Sequence, residues 1–147
     1  MTLFLVHHAD AVAAATDSTR PLSEHGREQA TSVAQRVAAR GARPAAIWHS
    51  GKLRARETAE IYWRAVNPAA TFTATHGLQP DDDPEVIADL LGVEPNDVMI
   101  VGHYPLLPGL LQMLAGEAAV FPQHGAVALQ RTAGGWVEQW RELSPTT

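Results

Sequence analysis

Cysteine is absent from the 147 residues of the sequence, which excludes a disulfide framework and any thiolate chemistry. Basic residues are few: 11 Lys and Arg stand against 16 Asp and Glu, giving a formal net charge of -5. Proteins that bind nucleic acid usually present a basic face, so we expect no nucleic-acid partner. The charge still permits an anionic substrate, because a local cationic pocket can override the overall balance.

Long apolar runs are missing as well. No stretch approaches the roughly 20 apolar residues of a membrane span, and the N-terminus does not carry the basic and apolar regions of a signal peptide. We therefore expect a cytoplasmic protein with no membrane partner. The length is typical of one domain, predicted here to cover residues 1–147. No feature indicates an extensive apolar interface, so we expect a monomer.

Apolar periodicity alternates between strand and helix along the chain. Short apolar runs predict strands over residues 3–6, 45–50, 71–75 and 97–101, and a terminal hairpin that joins residues 126–131 to residues 136–141. Helical spacing predicts helices from the Ser23 cap to Gly41 and from Lys52 to Val66, with shorter ones around residues 86–91 and 107–114. This order predicts an α/β fold with three layers (α/β/α), a mostly parallel sheet and an antiparallel edge strand.

Two adjacent histidines, His7 and His8, follow the first predicted strand. Ligands and reactive groups of open α/β sheets collect just past the carboxyl ends of the strands, which favours a functional site here. The alternative is that one histidine caps the strand and the other is solvated.

Two further junctions between a strand and a helix carry an imidazole or a cation. His103 directly follows the strand over residues 97–101 and Gly102, and Arg54 falls in the first turn of the helix that begins near Lys52. A cation is disfavoured at a helix N-terminus, but the same place binds anions, so Arg54 there indicates an anion between its guanidinium and the helix. His124 is interpreted as an ordinary surface or loop residue.

These three junctions together predict a small pocket that is rich in donors and poor in carboxylates. Such a pocket fits a phosphoryl group, whose transfer is mainly a matter of positioning and charge stabilisation. The acidic run Asp81–Asp83 is interpreted as a solvated helix entrance, with a general acid or a metal site as the alternative. None of the histidine pairs has the helical spacing of a metalloprotease site, and we expect no metal and no cofactor.

Four segments resemble the motifs of one family. Residues 5–9 (LVHHA) resemble the signature strand of the histidine phosphatase, or phosphoglycerate mutase-like, superfamily, which normally reads Arg-His-Gly or Arg-His-Ala. Residues 50–58 (SGKLRARET) are similar to its Ser-Pro-x-x-Arg-Ala-x-x-Thr segment, and residues 101–105 (VGHYP) to its second histidine motif. Residues 17–26 (DSTRPLSEHG) resemble a segment of the short SixA-type phosphohistidine phosphatases. The matches occur in family order.

The resemblance implies a role for each junction residue. His8 would be the nucleophile that forms a phosphohistidine intermediate. Arg54 would clamp the phosphoryl oxygens, and His103, in its protonated form, would stabilise the charge that builds on them. His7 and Arg20 would complete the phosphate-binding set, with Arg20 contacting either the phosphate or the substrate protein.

The chain departs from the family where His7 replaces the usual arginine. Loss of one preorganised donor to an oxyanion costs about 3–4 kcal/mol in the transition state. A protonated His7 would recover part of this loss through one donor. We therefore expect weakened activity, or activity that is favoured at mildly acidic pH.

The residue Gln79 bears on the substrate. Larger members of the family use a glutamate to protonate an alkoxide leaving group, and Gln79 offers no clear counterpart, although Asp81, Asp82 or Asp83 could serve. Phosphohistidine leaves as an imidazole, whose conjugate acid has a pKa of about 6.5, and needs less help. We therefore expect hydrolysis of phosphohistidine on a protein partner. The alternatives are a weakened domain that binds a phospho-ligand without turnover and a phosphatase of small phosphate esters.

Overall fold

The computed structural model describes residues 1–116 and 120–145. Six strands occur in this part of the chain: β1 (Thr2–His7), β2 (Ala46–His49), β3 (Thr71–Ala74), β4 (Val98–Gly102), β5 (Ala126–Thr132) and β6 (Gly135–Glu142). They are joined by the helices α1 (Glu24–Ala39), α2 (Leu53–Val66), α3 (Pro84–Val93) and α4 (Leu106–Ala115). The predicted elements are all present, and their ends differ from the prediction by one or two residues.

The strands form one sheet in the order β3-β2-β4-β1-β5-β6. The strands β3, β2, β4 and β1 run parallel to one another. β5 runs antiparallel to β1, and β6 runs antiparallel to β5. The predicted α/β fold, with its mostly parallel sheet and antiparallel edge, is confirmed.

Helices cover both faces of the sheet. The side chains of each strand alternate between the two faces, so each strand contributes to both apolar layers. Phe4 and Val6 of β1 pack into one apolar cluster with α1 and α2. Leu3 and Leu5 pack into a second cluster with α3 and α4 on the opposite face. These two clusters account for the three layers. No helix in the two described ranges has the length and apolarity to cross a membrane.

Strand register brings the predicted junctions to one edge of the sheet. His7, the last residue of β1, pairs with Gly102, the last residue of β4. His49, the last residue of β2, pairs with Val101. The residues that follow these three strands therefore meet at the same edge.

A glycine allows α1 to approach the loop after β1. The predicted cap is confirmed, since the Ser23 hydroxyl accepts the N–H of Gly26 at 2.9 Å. The same hydroxyl donates to the Asp10 carboxylate at 2.6 Å. A Cβ added to Gly26 would lie 2.1 Å from the carbonyl oxygen of Asp10. The loop that carries the residues after His8 is thus seated directly on the helix.

Replacement of Gly26 with alanine is expected to lower the free energy of unfolding by about 1–3 kcal/mol, because the new methyl group forces the loop backbone to move. Gly92→Ala in α3 is a matched control, since its Cβ meets nothing within 4 Å, and should stabilise the helix by up to about 1 kcal/mol. Urea unfolding measures both variants. Equal stability of Gly26→Ala and the wild type would contradict the close approach.

Candidate active site

His8 lies directly after β1 and is held from both sides. Its backbone N–H donates to the Gly102 carbonyl at 3.1 Å. Its Nδ1 lies 2.8 Å from the carbonyl oxygen of Ala9. A carbonyl only accepts, so Nδ1 carries the hydrogen and the lone pair of the neutral ring is on Nε2. Ala9 is fixed in turn by its N–H, which donates to the Thr58 hydroxyl at 3.1 Å.

The protonation state of His8 suits nucleophilic attack. Burial, and next the positive charge of Arg54, lower its pKa to about 4, although the hydrogen bond to Ala9 acts in the opposite direction. The ring is therefore neutral at physiological pH, with Nε2 free to attack.

Arg54 is the second residue of α2, and only 5% of it is exposed. Its Nη1 donates to the backbone carbonyl of Asp17 at 2.9 Å, and the Asp17 carboxylate lies 3.4 Å from the same nitrogen. Its Nε is buried and has no hydrogen-bond partner among the described residues. The guanidinium thus keeps a donor available at the helix N-terminus, where an anion is favoured.

Asp17 brings a carboxylate into a pocket that the sequence predicts to be poor in carboxylates. It lies in a short 3-10 turn over residues 17–19, and its Oδ2 accepts from Lys52 Nζ at 2.5 Å. This hydrogen bond, with Arg54 nearby, lowers the pKa of Asp17 to about 2. The carboxylate therefore remains charged. It balances part of the positive charge of the pocket.

His103 follows β4 and is 1% exposed. Its Nε2 lies 2.6 Å from the Ser50 hydroxyl, while Nδ1 is buried without a partner among the described residues. Its ring centre is 5.0 Å from that of His8. Burial, and next the charges of His8 and Arg54, lower the pKa of His103 to about 3.

Burial therefore disfavours the expected protonated form of His103 at neutral pH. The physical reason is the loss of solvation in a pocket that already contains cations. A bound phosphoryl group would oppose this effect, because a nearby negative charge favours the imidazolium form.

His7 is the last residue of β1 and is 6% exposed. Its ring lies between those of Tyr104 and His124, with centre distances of 4.4 Å and 4.9 Å. Its Nδ1 accepts the backbone N–H of His124 at 2.8 Å. Burial, followed by the neighbouring histidines, lowers its pKa to about 2. The protonated His7 expected at mildly acidic pH is thus disfavoured by its surroundings.

The interpretation of His124 as an ordinary loop residue is wrong. Its ring stacks on His7, and its Nδ1 lies 2.8 Å from the carbonyl oxygen of His8. Its φ of 57° places it in the left-handed region, which few non-glycine residues adopt. The missed signal is topological: Ala126 begins β5 opposite Val6, so the residues just before β5 reach the same edge as His7.

Arg20 lies at the rim of the site with its guanidinium held by the loop after β1. Its Nε donates to the Val12 carbonyl at 3.1 Å and its Nη2 to the Ala11 carbonyl at 3.4 Å. Nη1 lies 3.7 Å from the Asp17 carboxylate. Its charge also contributes to the lowered pKa of His8. A direct contact between Arg20 and phosphate remains a prediction.

Gln79 reaches the site, and two members of the acidic run serve as local caps. The Gln79 side-chain amide donates to the Ser50 carbonyl at 2.7 Å. Asp82 accepts the backbone N–H of Gln79 at 2.8 Å, and Asp83 caps α3 by accepting the N–H of Glu85 at 2.9 Å. No cluster of three or more metal-ligating side chains occurs within residues 1–116 and 120–145.

The profile of the histidine phosphatase superfamily (branch 1) matches residues 3–80, the part of the chain that contains His8 and Arg54. The chain belongs to this superfamily. No curated protein sequence gives a significant match.

Solved structures resemble this chain over nearly its whole length. The protein histidine phosphatase SixA, solved with tungstate, superposes with a TM-score of 0.87 at 25% identity, over 98% of this chain and 97% of SixA. A SixA protein from Agrobacterium tumefaciens gives a TM-score of 0.85 at 27% identity, with the same coverage of 98% and 97%. The α-ribazole phosphatase from Shigella flexneri shares the fold, with a TM-score of 0.74 at 15% identity over 95% of each chain.

The stability of the protein is expected to fall as the pH decreases below 6.5. The histidines His7, His8 and His103 are protonated near pH 6.5 in the unfolded chain but only near pH 2–4 in the folded chain. Between these values the unfolded state binds more protons. The free energy of unfolding therefore decreases by up to about 1.4 kcal/mol per pH unit for each histidine.

Urea unfolding at pH 7.5, 6.5 and 5.5 measures this slope. The His103→Asn variant is the control, and its stability should depend less steeply on pH because one titrating group is gone. A wild-type stability that is constant over this range would mean that the imidazoles bind protons equally in the folded and the unfolded protein.

Proposed function

We propose that this protein is a phosphohistidine phosphatase of the SixA type, acting on a phosphorylated protein. The observation that carries the proposal is the hydrogen bond between His8 Nδ1 and the Ala9 carbonyl, which leaves the lone pair of a neutral imidazole on Nε2. Arg54 Nε and His103 Nδ1 are buried without partners among the described residues, and the ring centre of His103 lies 5.0 Å from that of His8. The likeness to two SixA structures over nearly the whole chain supports the same function.

The reaction proceeds in two displacements. His8 Nε2 attacks the phosphorus, a new P–N bond forms, and the P–N bond of the substrate breaks; the substrate imidazole carries a proton on its other nitrogen and so leaves as a neutral ring. Water then attacks the phosphorus of the intermediate, the bond to His8 breaks, and inorganic phosphate is released. Arg54 and His103 stabilise the charge on the equatorial oxygens in both steps.

The substrate class follows from the leaving group. Gln79 lies beside the site, where its amide binds the Ser50 carbonyl, and an amide cannot protonate an alkoxide. An imidazole leaves with a conjugate-acid pKa of about 6.5 and needs no strong acid. A pocket of about 300 Å³ adjoins Ser50 and is lined by Thr75, His76 and Gln79. It offers room for the side chain that carries the phosphoryl group.

A second candidate function is a domain that binds a phospho-ligand with little or no turnover. The observation that favours it is His7: a neutral imidazole supplies one donor where the family resemblance places a bidentate guanidinium. Binding would persist through Arg54, while the transition state would lose stabilisation.

Hydrolysis of a phosphohistidine peptide at pH 7.5 tests the main proposal. The wild type is expected to release phosphate, and His8→Ala is expected to abolish turnover because no other group accepts the phosphoryl group. His25→Ala, which changes a histidine in the first turn of α1 outside the ring cluster, is the control and should keep at least half of the activity. Phosphate binding by a wild type that is inactive would instead support the binding domain.

The Gln79→Glu variant tests the substrate class. A carboxylic acid at this position is expected to raise the hydrolysis of phenyl phosphate by up to about 100-fold through general acid catalysis, with little change for phosphohistidine. The measured quantity is the ratio of kcat/KM for the two substrates, with Gln79→Met as a control of similar size. A wild type that already prefers the ester would contradict a phosphohistidine substrate.

A further inference from the structure

The His7 imidazole, at the position of the family's arginine, is held by residues that come from outside its own motif. We propose that His124 is a positioning residue: together with Tyr104 it fixes His7 as a neutral Nε2–H donor that takes over part of the arginine's role. This inference rests on the proposed phosphatase function, because it assigns the donor to the phosphoryl site.

The tautomer of His7 is set by the backbone of His124. Nδ1 of His7 accepts the N–H of His124 at 2.8 Å. A backbone N–H only donates, so Nδ1 keeps its lone pair and the hydrogen is on Nε2. The turn that contains His124 also holds the backbone of His7, since the His7 N–H donates to the Gly125 carbonyl at 3.0 Å.

The orientation of the His7 ring is set by stacking. Tyr104 lies on one side at a ring-centre distance of 4.4 Å, and His124 stacks at 4.9 Å with an interplanar angle of 10°. Tyr104 is itself anchored, because its hydroxyl donates to the Phe121 carbonyl. The ring so fixed lies 4.5 Å from the ring centre of His8. The ring that carries this single N–H therefore adjoins His8, the proposed nucleophile.

The backbone conformation of His124 is strained, which indicates a functional role for this residue. Its φ of 57° lies in the left-handed region, which disfavours most side chains. Strain of this kind persists where the surroundings determine the conformation, and it clusters at functional sites. Here the strained conformation serves three contacts: the N–H to His7, the stacked ring, and Nδ1, which donates to the His8 carbonyl at 2.8 Å.

Burial is the main reason why the His7 ring stays neutral, and the surrounding groups act in the same direction. The groups that act on it are the imidazoles of His8, His103 and His124 and the guanidinium of Arg54, with the Tyr104 phenol against one face. Each positive charge among them disfavours a second proton on His7. The donor therefore works without titrating near neutral pH.

The first test reads the tautomer directly. ¹⁵N NMR of the wild-type imidazoles at pH 7 is expected to show His7 as a neutral ring with hydrogen on Nε2. A ring protonated on Nδ1, or a charged ring, would overturn the proposal. Because it needs no turnover, this measurement can fail or succeed independently of the phosphatase function.

The second test is a double-mutant cycle of His7→Phe and His124→Gly. Phenylalanine keeps the stack but removes the donor, and glycine keeps the backbone N–H and accepts the positive φ while removing the ring. His7→Phe should lower kcat by about 100-fold, and His124→Gly by about tenfold, with smaller effects on KM. If His124 acts through His7, His124→Gly should change kcat less than twofold in the His7→Phe background.

The same double-mutant cycle can be measured without catalysis, through the affinity of each variant for tungstate. The single variants should weaken tungstate binding, and the effect of His124→Gly should again vanish in the His7→Phe protein. Thermal unfolding of all four proteins checks that they are folded. Independent, multiplying effects of the two substitutions would overturn the positioning role. An inactive wild type with a non-additive tungstate cycle would reject the phosphatase function while leaving the role of His124 intact.

Discussion

Parallel pairing between β1 and β4 determines where the residues of the candidate site lie. With His7 opposite Gly102, the backbone N–H of His8 reaches the Gly102 carbonyl at the end of the ladder. A shift of one residue would turn each apolar side chain of β1 to the other face of the sheet, so the two apolar clusters hold the register. The position of His8, the proposed nucleophile, is therefore a consequence of core packing on both faces.

The site combines fixed cations with neutral imidazoles. Arg54 remains charged when buried, whereas burial next to it keeps His7, His8 and His103 neutral. This division separates two tasks. A guanidinium attracts the phosphoryl group, and a neutral imidazole retains the lone pair that nucleophilic attack requires.

Local patterns in the sequence predict the site residues that lie at the end of a single strand or at the start of a single helix. His8, Arg54 and His103 each occupy a junction between a strand and a helix, and the parallel topology gathers such junctions at one edge. His124 could not be found in this way, because its place depends on the antiparallel pairing of β5 with β1 and on a left-handed backbone conformation.

Charge states are a second limit on prediction from sequence. The family resemblance implies a protonated His103, and the replacement of the usual arginine suggests a protonated His7, but the sequence does not show how deeply each ring is buried. The fold itself is easier to predict, because apolar periodicity places the ends of the six strands and four α-helices within one or two residues.

The contact between Asp17 and the two cations Lys52 and Arg54 gives the pocket a counter-ion that is tethered to the chain. A phosphoryl dianion that binds at the proposed site would displace a carboxylate that the chain keeps within a few ångströms of both cations, at a high effective concentration. After the release of inorganic phosphate, the same carboxylate would neutralise Lys52 and Arg54 again. It would therefore compete with the product for the proposed phosphate site.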